Sequence, residues 1–180
     1  RAQTATEEWA RIGMSFSGEI TALAVSPNFE NDKTLYIGVR SGGLWRSTEA
    51  GDPGTWCQCT SVPAGYTVND IGLGRDYRFD SGYPCFAVTE EGFCYRSVDD
   101  FDTNTYVHAF TISGTTYALT SIVLGGVAAF NNAVFVGTYG HGVFAHYAGG
   151  GDSSWTFIGP DGGMYCNDLT ITSDTNQELW

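Results

Sequence analysis

Apolar and polar positions alternate in short bursts along this chain, and the bursts recur at a fixed spacing. Ile20-Thr-Ala-Leu-Ala-Val-Ser26 aligns with Val68-Asn-Asp-Ile-Gly-Leu-Gly74, Leu119-Thr-Ser-Ile-Val-Leu-Gly125 and Cys166-Asn-Asp-Leu-Thr-Ile-Thr172, with starts 48, 51 and 47 residues apart. A second burst recurs as Leu35–Val39, Cys85–Thr89 and Val134–Thr138, and a third as Gly43–Ser47, Phe93–Ser97 and Gly142–His146. A fourth position is marked by an aromatic at Trp9, Trp56, Tyr106 and Trp155. Short alternating runs bounded by turn residues predict strands. Four strand positions in each repeat of about fifty residues predict the blade of a β-propeller.

The details of each burst fit that reading. The first is rich in small residues (Ala22, Ala24, Gly72, Gly74, Gly125), as an inner strand crowded around a central channel requires. The second is the most apolar, as expected of a strand covered on both faces. Gly42-Gly43, Glu91-Gly92 and Gly140-His141-Gly142 fall between the second and third strands, where hairpins favour positive φ. The expected fold is therefore all-β, a propeller of four-stranded antiparallel blades that is incomplete in this chain. The expected units are an outer strand of a preceding or closing blade over 1–15, blade 1 over 16–62, blade 2 over 63–112, blade 3 over 113–160 and the start of a fourth over 161–180. Propellers close with about 4–8 blades. The count admits three readings: part of a longer propeller, a half that meets a partner, or a small four-bladed ring.

Composition narrows the partners. A net charge of −12 repels phosphate backbones and anionic membrane surfaces, which excludes nucleic-acid binding. At 42% hydrophobic, 14% aromatic and 16% charged, the chain has the material for a packed core. Its most apolar stretch, 121–130, is too short for a membrane span and contains Gly125 and Gly126. The Arg1-Ala-Gln3 start resembles a processed terminus, so the expected location is extracellular or periplasmic. Five cysteines show no zinc-binding spacing. Cys85 and Cys94 fall on neighbouring expected strands, and a local disulfide between them is expected in an oxidising compartment.

The first repeat, with Gly42-Gly-Leu-Trp-Arg-Ser-Thr-Glu-Ala-Gly51 followed by Thr55-Trp56, resembles the Asp-box or BNR-like repeats of sialidases, xyloglucanase-type glycoside hydrolases, sortilin-type receptors and photosystem assembly factors. Against the S-x-D-x-G-x-x-W pattern, Glu49 stands for the Asp, Ser97-Val-Asp99-Asp-Phe101 lacks the Gly, and the third copy keeps only Gly149-Gly-Gly-Asp-Ser-Ser-Trp155. The resemblance implies a propeller; the Asp box is a folding motif on an outer turn and implies no catalysis.

Catalytic chemistry is thinly represented. Sialidase activity needs an arginine triad, and the Arg-Ile-Pro motif of that family is missing, while Arg46 and Arg96 occupy the same third-strand place in successive repeats, as structural residues do. A sialidase-like relic remains a reading of the resemblance. A glycoside hydrolase acting on polysaccharide needs two carboxylates about 5–10 Å apart; Asp70 and Asp168, at the same point of the inner strand in blades two and four, are expected near the channel mouth. The alternating oxygens of Asp99, Asp100, Asp102 and Asn104 make a partial calcium loop that lacks the sixth-position Gly and twelfth-position Glu, so a structural Ca²⁺ is the one candidate cofactor.

These observations favour an exported, non-catalytic scaffold for binding or assembly that self-associates through open blade edges. Its partners are expected to be a protein or further copies of itself, with carbohydrate as the alternative. Propellers bind through loops on one face, and the expected contact residues are Tyr66, Asp70, Tyr77, Tyr83, Tyr117, Tyr165 and Asp168.

Overall fold

The structure is a computed structural model and describes residues 18–103, 105–125, 133–147, 154–160 and 163–170. Its first sheet runs β1 (Ile20–Val25), β2 (Leu35–Val39), β3 (Gly43–Ser47) and β4 (Cys57–Gln58), in that order and antiparallel throughout. A one-turn helix, α1 (Phe29–Asp32), bridges β1 and β2. The second sheet is β5 (Val68–Leu73), β6 (Cys85–Thr89), β7 (Phe93–Ser97) and β8 (Thr105–Ala109). A small hairpin, β9 (Thr111–Ile112) with β10 (Thr115–Thr116), leads to the third sheet: β11 (Leu119–Leu124), β12 (Val134–Thr138), β13 (Val143–His146) and β14 (Trp155–Gly159). The expected outer strand around Trp9 lies outside the described residues.

Packing follows from the period of two along each strand. In β6, Cys85 and Ala87 face the first sheet and join a core with Tyr36, Leu44, Val62, Ile71 and Tyr95. Phe86 and Val88 face the third sheet and join Phe110, Leu119, Ile122, Val136 and Phe144. Both faces of β2 and β6 are thus buried along their whole length. Close approach explains the glycines of the second strands. A Cβ at Gly38 would lie 2.5 Å from the Val68 carbonyl oxygen of the next blade, and one at Gly137 would lie 2.6 Å from the Cys166 Sγ.

The same register corrects the expected disulfide. Cys85 pairs with Ser97 and Cys94 with Val88, which separates the two cysteines by three rows, or about 10 Å. A disulfide needs Cα atoms within about 7 Å. The two side chains also enter different cores. All five cysteines are free, and burial pushes the Cys59 and Cys94 thiols up to about 12, so neither is a nucleophile near neutral pH.

Each inner strand carries a β-bulge at the same place, between Ile20 and Ala22, Val68 and Asp70, and Leu119 and Ser121. The residue left out of the ladder is Thr21, Asn69 or Thr120, and a bulge re-aims its side chain. This feature positions the seam contacts described next.

Candidate functional site

The bulged residues reach across to the following blade. Thr21 Oγ1 donates to the Val68 carbonyl at 2.5 Å, Asn69 Nδ2 to the Leu119 carbonyl at 2.7 Å, and Thr120 Oγ1 to the Cys166 carbonyl. Val68 and Leu119 open β5 and β11, and Cys166 holds the equivalent place in the repeat, so one link recurs three times along the chain. In blade 2 a second link adds to it: Asp70 accepts the Ile71 amide on Oδ1 and the Ile122 amide of the next blade on Oδ2, both at 2.8 Å. Asn69 and Asp70 together clamp the carbonyl of position one and the amide of position four in the next inner strand.

This use occupies both carboxylate oxygens of Asp70. Its carboxyl sits above the usual range, chiefly from burial, with the Asp168 charge adding to it and the two amides opposing it. A raised carboxyl beside a second carboxylate has the electrostatics of an acid–base pair. Yet both Asp70 oxygens are held by backbone amides, so its chemistry here is that of a strand clamp. Asp168 repeats half of the arrangement, with Oδ1 accepting the Leu169 amide at 2.8 Å, and it is exposed.

The hairpins between second and third strands form one face of the molecule. Tyr66, Tyr117 and Tyr165, each just before an inner strand, lie on that face. Tyr66 stacks on Phe93 with centroids 5.4 Å apart, and Tyr117 stacks on His141 at 4.6 Å. Both are half-buried. Tyr165 is different: it is 61% exposed and sits 4.4 Å from Tyr139, itself 57% exposed, beside the exposed Met164. Tyr139 was not among the expected contacts. The signal for it was its place in the repeat, the first hairpin residue, which it shares with Arg40 and Glu90. At the blade 1 end, Arg40 pairs with Glu19 at 2.6 Å and Glu90 at 3.9 Å, which leaves that rim polar.

Tyr77 and Tyr83 belong to the opposite face. Tyr83 is exposed there, but Tyr77 is buried and is corrected from a contact residue to a core one. Its hydroxyl lies 2.8 Å from that of Tyr36, and both donate to Asp100 Oδ1. The Asp80 amide donates to Asp100 Oδ2 at 2.8 Å. Burial, with the Asp100 carboxylate adding to it, pushes both phenols far above their ordinary range, so they remain protonated donors.

The expected calcium loop is already engaged by protein groups. Asp99 accepts from the Ser97 hydroxyl and from the Thr103 amide and hydroxyl, Asp100 faces the tyrosines, and Asp102 pairs with Arg46 at 3.3 Å. Asn104 lies outside the described residues. Among the described residues no group of three metal-type side chains is gathered. The turn itself repeats: Ser47 Oγ accepts the Glu49 and Gly51 amides, and Ser97 Oγ accepts the Asp99 and Phe101 amides.

Neither the family models nor the curated proteins give a match to this chain. Solved structures do. The WD40 repeats of RRP9 are 12% identical with a TM-score of 0.56, over 80% of this chain and 39% of that one. The computationally designed Ika4 protein is 12% identical with a TM-score of 0.56, over 92% of each chain. BBS1N, solved in complex with ARL6DN, is 16% identical with a TM-score of 0.51, over 96% of this chain and 48% of that one. The chain thus spans under half the length of RRP9 and BBS1N and nearly the whole of Ika4. Identities this low show the fold alone: an all-β chain of propeller-type, four-stranded antiparallel blades, whose described blades do not close a ring.

Proposed function

We propose that this chain is a protein-binding propeller scaffold of the Asp-box type, exported from the cell, that engages its partner through the hairpin face at Tyr139, Met164 and Tyr165. The observation that carries the reading is the contrast on that face. Tyr66 and Tyr117 are half-buried against neighbours, whereas Tyr139 and Tyr165 stand out in solvent as a paired aromatic patch. Exposed aromatic patches on a rigid scaffold are the usual anchors of protein interfaces. The Asp-box assignment draws on the matching Ser47 and Ser97 turns. BBS1N, a fold neighbour, was solved with a protein partner, which favours the same general use.

The glycoside hydrolase reading is weaker, because its best carboxylate pair includes Asp70, whose oxygens serve the blade seam. A calcium ion at Asp99, Asp100 and Asp102 would have to displace the hydroxyl, amide and guanidinium partners those carboxylates now hold. The test is site-directed photo-crosslinking in the protein's native extract. A crosslinker at position 139 should give a discrete protein adduct that Tyr165→Ser abolishes, and one at position 83 should give none. Equal labelling at the two positions, or release of reducing sugar from polysaccharide, would defeat the reading. Cell fractionation tests export separately, with protein expected outside the cytosol.

A further inference from the structure

Two histidines from different blades line one small pocket at the seam between blades 2 and 3. His108 comes from β8 and His146 from β13. The Trp155 ring of β14 lies 5.9 Å from the first and 5.3 Å from the second. His146 Nδ1 sits 3.1 Å from the Ser154 carbonyl, which can only accept, so Nδ1 carries hydrogen and an added proton goes to Nε2. Phe110, 4.8 Å from His108 and 5.0 Å from Trp155, joins the two imidazoles and the indole into one ring cluster that spans the seam.

The groups around the imidazoles offer a proton no counter-charge. From β7 come Arg96 and the Cys94 thiol, which burial keeps protonated; from β8 comes Tyr106 beside His108; and β14 adds only Trp155. No carboxylate is among the lining residues, although the chain has 20 Asp and Glu. Burial and the His146 charge both oppose a proton on His108. Trp155 Nε1 is buried and meets no acceptor, so the closed seam also holds a stranded donor. Parting the outer half of the seam hydrates both imidazoles and the indole N–H together. Protonation strengthens that pull, because like charges repel most where water is scarce.

We propose that the seam between blades 2 and 3 is a proton-operated joint: protonation of His108 and His146 parts its outer half and exposes Trp155, while the seam between blades 1 and 2 stays shut. The inner half stays joined through Asn69 on the Leu119 carbonyl, an amide link that does not titrate. The first seam has no histidine among its buried donors and supplies them with Asp100 as acceptor. The joint goes beyond the scaffold reading and does not depend on it.

Hydrogen exchange of the indole N–H groups, followed by NMR on the full chain from pH 7.5 to 5.0, tests the joint. Trp45 and Trp56, whose Nε1 groups donate to the Gly42 and Gly51 carbonyls, serve as references within the same molecule. Corrected for intrinsic exchange, Trp155 should quicken about tenfold relative to them as pH falls, the response to a histidine pKa lowered by about one unit in the closed seam. His108→Gln/His146→Gln should flatten that rise. His146→Gln alone, which leaves blade 2 untouched, should reduce it, and it decides the matter if the double variant does not fold. A Trp155 that keeps pace with Trp45 and Trp56 at every pH overturns the proposal, as does a pH response that survives loss of both histidines. Equal quickening of all three indoles also defeats it, because the whole fold would then be loosening.

Discussion

Between the first and second blades the seam is closed by a buried polar cluster: Tyr36 and Tyr77 donate to Asp100, and Arg46, stacked 4.9 Å from the Phe79 ring, donates to the Asp100 carbonyl at 2.8 Å. Between the second and third it is closed by rings: Phe110 packs 5.4 Å from Phe144 and 5.0 Å from Trp155, with His108 4.8 Å from Phe110. Both seams share the link from the bulged residue, Thr21 or Asn69, to the next inner strand, and the second adds Asp70 on the Ile122 amide. The outer halves differ more, since one seam depends on satisfied hydrogen bonds and the other on area and shape. A polar seam fails when one acceptor is lost, because every donor it served is stranded. An aromatic seam fails through the cavity left behind.

The largest effect should come from Asp100→Ala, which strands two hydroxyls and the Asp80 amide and places alanine at φ 59. A loss of about 4–5 kcal/mol in urea unfolding is expected. Asp100→Asn should recover part of it, because the amide oxygen still accepts and asparagine tolerates left-handed φ. If Asp100→Ala costs no more than a surface substitution, the polar seam does not hold the blades. Phe110→Ala, in the aromatic seam, should cost about 3–4 kcal/mol, and a cost near zero would show that this seam closes without it. Tyr36→Phe is a finer probe: Tyr77 still reaches Asp100, so a loss of about 1 kcal/mol is expected.

The smallest effect separates the seams by pH. Burial, with the nearby His146 charge, holds His108 below the ordinary histidine range. The unfolded chain therefore binds that proton more readily than the folded one, and stability falls as pH drops below about 6.5. Thermal melts from pH 7.5 to 5.0 should show a decline that His108→Phe reduces and Tyr36→Phe does not. An unchanged pH slope in His108→Phe would remove this histidine from the account.

Much of the architecture was legible because a repeat displays its own alignment. The second strands fall where Leu35–Val39, Cys85–Thr89 and Val134–Thr138 predict them, since apolar runs covered on both faces leave a strong signal. The outer strand near Trp56 was harder, and β4 is only Cys57–Gln58, because an edge strand with one neighbour carries little pattern. Asp70 was expected near a channel mouth, but its clamp on the next inner strand was not visible: a one-residue bulge at Asn69 sets it, and the period of two says nothing about bulges. Tyr77 read as a loop aromatic for binding because the sequence does not reveal that its hydroxyl finds Asp100 across 23 residues. The Cys85 and Cys94 pairing failed for a related reason, since neighbouring strands say nothing of register until the hairpin is seen.

The central claim is that the inner strand of the third blade is gripped by the Asn69–Asp70 pair of the blade before it. Amide hydrogen exchange at Ile122 and Leu23, in dilute wild type and in Asp70→Ala, tests it most directly. Ile122 should exchange slowly in wild type, and as fast as Leu23 once Asp70 is gone. An Ile122 amide that stays protected without Asp70 would contradict the account.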